Sequence, residues 1–170
     1  VALYSRGIGM KKALRTIELF AGTRPDGQPI VEQLPVSELE SGDLQLVRSP
    51  AFAQGIASGD TVRLLPTTQE VELVRRSGNL SLRVFTKGDM APIADALVPA
   101  LEKLGGELDL HNDRMLVLSI HVSCGFETIE KLMNEVLGKD PDSTWMYGNV
   151  YDPTDGSTPL NWWQDVLKPE

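Results

Sequence analysis

The hydrophobic period of this chain changes once, and the change limits what the chain can fold into. Before the change, apolar and polar residues alternate in short runs broken by Gly, Pro, Asn and Asp; after it, two stretches repeat every three to four residues. Alternation marks half-buried strands, and the longer period marks helices with one buried face. Residues 13–20, 30–36, 44–48, 61–65 and 71–76 therefore read as strands, about ten residues apart, as in a small β-barrel or sandwich. Pro35 suggests that the second of them is an edge strand. Residues 50–56, PAFAQGI, read as an apolar turn or a helical stub.

The stretch 71–86, VELVRRSGNLSLRVFT, sits where the pattern changes. Gly78-Asn79 between two alternating runs predicts a tight β-hairpin joining residues 71–76 to 80–86. Beyond it, Ile93, Leu97, Leu101 and Leu104 predict a helix over 92–104, stopped by Gly105-Gly106. Ile129, Leu132, Met133 and Val136 predict a second over 127–137. Strands are expected at 80–86, 107–111, 114–122 and 144–151, so the order is βαββαβ, the ferredoxin-like plan. Leu80, Leu82, Val84, Leu116, Leu118, Ile120 and Val122 should face the helices. Met115, Val117, Ser119, His121, Arg83 and Phe85 should lie on the other face, which is too apolar to stay bare. The first-half strands, or a second copy of the chain, should cover it.

The expected fold class is thus α+β. Residues 1–12 form an extension, with Met10 a candidate natural start. Residues 13–79 form a small β-barrel-like subdomain, 80–151 a ferredoxin-like subdomain and 152–170 a C-terminal arm. Adjacent Trp162 and Trp163 in that arm need a surface to bury against and are candidate interaction residues.

Net charge is −8 but unevenly placed: residues 1–88 balance at +2 and residues 89–170 at −10. An acidic second half lacks the Lys and Arg clusters that neutralise phosphates, so no nucleic-acid partner is expected. It also lacks stacking aromatics at the central-strand positions that an RNA-binding sheet of this plan uses. No apolar run approaches the length of a membrane span, and no signal-peptide core opens the chain. A single Cys fits a cytoplasmic setting.

Arg76 and Arg83, expected to be diagonal neighbours on one hairpin face, are the candidate grip for a carboxylate or phosphate, with Ser77 and Asn79 beside them. Pairing with Glu72 or with an acidic residue of the second half is the structural alternative. Cys124, where a strand passes into a helix, is a candidate nucleophile or an ordinary cap residue. His111 and His121 fall short of a metal signature, and no metal is expected. Neither glycine-rich phosphate motif occurs, and no cofactor is expected.

Pro50, Phe52, Gly55, Gly59 and Asp60, followed by Arg76, Ser77, Gly78 and Arg83, resemble the pattern of an uncharacterised bacterial family, domain-of-unknown-function family 4265. The resemblance runs from about Ile30 to Tyr151; the loop SELESGD before Leu44 and the Trp pair depart from it. It implies no activity. Taken together, the residues point to a non-enzymatic binding or protein-interaction module. Its expected partner is a protein or a small anionic ligand, with homodimerisation a further option. The alternative is an enzyme with a cleft between the subdomains that uses Cys124 or an unidentified carboxylate.

Overall fold

Alternating runs form two antiparallel sheets in the computed structural model, which describes residues 13–68 and 70–168; the expected extension lies outside the described residues. The first sheet holds β1 (Ala13–Thr23), β2 (Pro29–Glu38), β3 (Leu44–Leu46), β4 (Thr61–Leu64) and β5 (Val71–Arg75), side by side in chain order. Ile17, Leu19, Leu34, Val36, Leu44, Leu46 and Val62 supply its buried face, closed over by Ala53 and Ile56. The other face is solvated: Leu14 is 76% exposed, and Val31 and Val74 lie open.

A barrel was expected, but the sheet is open: among the described residues β1 pairs with β2 and β5 with β4, and the two do not meet. Pro35 is not on an edge. β2 is flanked by β1 and β3, and Pro35 lies where the β3 ladder stops, its carbonyl accepting the Val47 amide at 3.2 Å. Lacking an N–H, Pro35 cannot return that bond, so the ladder ends there. Residues 49–60 hold neither strand nor helix and run as a bent segment across the second sheet.

The second sheet has strand order β9-β6-β8-β7, every neighbour antiparallel. Its strands are β6 (Asn79–Thr86), β7 (Glu107–His111), β8 (Met115–His121) and β9 (Ser143–Tyr147). Helix α1 (Met90–Lys103) links β6 to β7, and α2 (Phe126–Leu137) links β8 to β9. Asp89 caps α1 by accepting the Ala91 amide, and Pro92 falls in the first turn, where no N–H is needed. Both helices pack on Leu80, Leu82, Val84, Leu116, Leu118, Ile120 and Val122, as expected. Leu104 departs from the helix pattern: it lies past the end of α1 and is exposed. The opposite face is covered from within the chain, Ala51 packing on Met115 and Val117.

The expected hairpin over 71–86 does not form. β5 belongs to the first sheet and β6 to the second, so residues 76–78 are the crossover between them. β9 ends earlier than expected: the Gly148 amide still donates to the Ser81 carbonyl at 2.8 Å, but the Gly148 carbonyl turns away to accept the Gly55 amide at 2.9 Å. Beyond it, the Asn149 side chain replaces a backbone partner, accepting the Ser81 amide and donating to the Asn79 carbonyl. Among the described residues no helix is long and apolar enough to cross a membrane.

Candidate functional site

Arg76, Ser77, Asn79 and Arg83 all lie at the junction of the sheets, and each is engaged there by the chain itself. Glu32 accepts the amides of Ala51, Phe52 and Ala53 at 2.8–2.9 Å. Arg83, 3% exposed, takes the same segment from the other side, donating to the carbonyls of Phe52 and Ala53. Burial pulls its pKa down to about 10 against the opposing charge of Glu32, so the guanidinium stays charged at neutral pH.

Arg76 donates to the Gly55 carbonyl at 2.9 Å and lies over the Trp162 ring at 5.2 Å. Buried Asp60 accepts from the amides of Ser77 and Ala57, and Ser77 Oγ and Asn79 Nδ2 both donate to the Ser58 carbonyl. Burial raises the Asp60 pKa even so. Segment 51–60 is thus clasped by side chains from both sheets. Glycine is required at the crossover: Gly78 has φ +97°, and Gly59 lies against the Ser77 side chain.

A second network joins the halves nearby. Ser49 Oγ bonds Ser119 Oγ at 2.8 Å, and Asp109 accepts from Ser119 Oγ and the Ser49 amide. Burial pushes the Asp109 carboxyl up.

The remaining sequence candidates are dispersed. Half-buried Cys124 packs against the helix-covered core, in the turn before α2. His121 Nδ1 meets Ser123 Oγ at 2.8 Å, and His111 lies on β7, away from it. No group of three or more His, Cys, Asp or Glu with metal-binding geometry occurs among the described residues.

Trp162 and Trp163 are both half-buried against the chain's own core. Trp162 Nε1 donates to the Asn149 carbonyl at 2.9 Å, which fixes the arm. Trp163 then stands edge-on to Phe126, centroids 5.1 Å apart, and Phe126 stands edge-on to Tyr147 at 5.6 Å. These rings wall a groove between α2, β9 and the arm. One lobe, about 190 Å³, is lined by Phe126, Tyr147, Tyr151 and Trp163; a second, about 410 Å³, continues past Trp145 along β9, an edge strand. Glu130 lines both lobes and accepts from the Tyr147 hydroxyl at 2.8 Å. Burial, then the Glu130 bond and charge, push the phenol pKa up, so Tyr147 is a neutral donor.

A larger cavity, about 540 Å³, opens on the first sheet, but its walls are mainly aliphatic side chains and the strand end at Phe20–Gly22. It brings no aromatic cluster together.

Sequence reasoning reached only Trp163 of the groove. Phe126 and Glu130 are one helical turn apart and so share a face, a legible signal. Their meeting with Tyr147, Tyr151 and Trp163 depends on strand order and on the fold of the arm, which no local pattern reports.

The fold is shared with a crystal structure of a hypothetical protein from Neisseria gonorrhoeae, at TM-score 0.62 and 15% identity, covering 82% of this chain and 95% of that one. Residues 32–144 match the model of DUF4265, a domain of unknown function, and the chain belongs to that family. No curated protein matches it. The motif residues that carry the resemblance are those that meet at the clasp.

Proposed function

We propose that the protein is a non-enzymatic binding module whose ligand seats in the groove between α2, β9 and the C-terminal arm. The observation that carries this reading is four aromatic side chains, Phe126, Tyr147, Tyr151 and Trp163, gathered around one carboxylate in a concave surface. Apolar walls with a few placed polar groups are the usual form of a small-molecule site. Arg76 and Arg83, with Ser77 and Asn79, we assign to holding the sheets together rather than to an anionic ligand: Arg76, Ser77, Asn79 and both terminal nitrogens of Arg83 already donate to internal carbonyls, and Arg83 Nε, which has no partner, is buried against Gly148.

Residues 80–151 are read here as a ferredoxin-like unit, supported by the strand order β9-β6-β8-β7, and 13–79 as a second unit, supported by sheets that share no strand. A cytoplasmic setting remains part of the reading, on the strength of the single Cys.

The test is a thermal-shift screen of small molecules on the full chain, Trp163→Ala and Arg76→Met. Compounds that raise the midpoint of the full chain should lose their effect in Trp163→Ala and keep it in Arg76→Met. The opposite pattern would move the site to the clasp.

A further inference from the structure

We propose that the groove selects a small organic cation, an alkylated ammonium group, with Glu130 as its counter-charge. This rests on the groove being the binding site. Three features of that surface carry the proposal.

First, the rings stand nearly perpendicular: 83° between Phe126 and Tyr147, 70° between Phe126 and Trp163, and 78° between Trp145 and Tyr147. Rings set this way form corners, and their faces carry the negative part of the quadrupole that attracts a cation. The chain already uses this chemistry next door, where Arg76 lies 5.2 Å from the Trp162 centroid.

Second, the carboxylate that lines the groove, Glu130, takes part in none of the ion pairs found among the described residues. The ion pairs among the described residues join Arg15 to Glu38 and Arg63 to Asp43 and Glu72, all on the first sheet. Glu130 Oε2 takes a bond from neutral Tyr147, which leaves Oε1 for a ligand. The −10 balance of residues 89–170 adds a field of the same sign.

Third, the wall chemistry decides which cation. A hard metal ion needs six or more oxygens, and this groove offers one carboxylate and phenol groups. A strongly hydrated ammonium would lose its water against ring faces without enough acceptors to replace it. An alkylated ammonium carries its charge under methyl or methylene groups that pack on rings. The larger lobe, about 410 Å³, suits a small molecule.

The experiment titrates the full chain with choline and with its neutral isostere 3,3-dimethylbutan-1-ol, read by NMR shifts, and repeats both with Glu130→Gln. Gln keeps an acceptor for the Tyr147 hydroxyl and removes the charge. Choline should bind the full chain at Phe126, Tyr147 and Trp163, with the isostere roughly tenfold weaker. Glu130→Gln should weaken choline and leave the isostere unchanged. Equal binding of the two by the full chain would overturn the cation inference and leave the groove standing. Shifts from neither would overturn both.

Discussion

Gly78 carries the crossover with φ +97°, and a Cβ there would lie 2.5 Å from His121 Nε2. Gly78→Ala should therefore cost about 1–3 kcal/mol through backbone strain and contact together. In a His121→Ala background only the strain remains, so the cost should shrink; urea unfolding of the four chains measures it. Asp109 gives a pH test. Its folded pKa is raised by burial above the ordinary 3.8. The folded state thus holds this proton more tightly than the unfolded chain. The resulting stability is fully present below the unfolded value and lost as pH rises through the folded one. Asn at 109 can accept both bonds and does not ionise. The midpoint of Asp109→Asn should gain on the parent as pH rises above the ordinary carboxylate value of 3.8 and through the raised folded value; a constant difference would mean that Asp109 does not titrate anomalously.

At the scale of elements, the strands and helices were largely legible because each reports its own burial: Ile93, Leu97 and Leu101 line α1, and Leu80, Leu82 and Val84 line β6. Misreading began where a local signal had a distant cause. Ser77-Gly78-Asn79 looks like a hairpin turn, yet the Ser77 amide is held by Asp60 and the Ser77 and Asn79 side chains by the Ser58 carbonyl, about twenty residues earlier. Arg76 and Arg83 read as an anion grip, or as partners of Glu72 or a second-half acid, because the carbonyls that engage them belong to a segment without a periodic pattern. The arm was legible as an element in need of a surface, and that surface is its own chain. Deleting residues 160–170 removes the Trp162 bond to Asn149 and both ring contacts. It should lower stability by about 1–3 kcal/mol, the worth of a buried aromatic. Thermal midpoints of full-length and truncated chains at two concentrations tenfold apart check this, with a loss independent of concentration because the contact is intramolecular.

For the whole molecule, two sheets are joined by a clasp whose donors and acceptors largely satisfy one another, and an aromatic groove lies on the second sheet's edge. Clasp and groove divide the labour of the molecule, and the three indole N–H groups report on that division. Trp162 Nε1 donates to Asn149 beneath Arg76, whereas Trp163 lines the groove. The measurement is the indole region of a nitrogen–proton correlation spectrum, assigned with single Trp→Phe variants and titrated separately with choline, its neutral isostere and phosphate. Choline or the isostere should move the Trp163 signal, and phosphate should leave Trp162 in place. A Trp162 signal that moves with phosphate, beside a Trp163 signal that neither organic probe moves, would contradict that division.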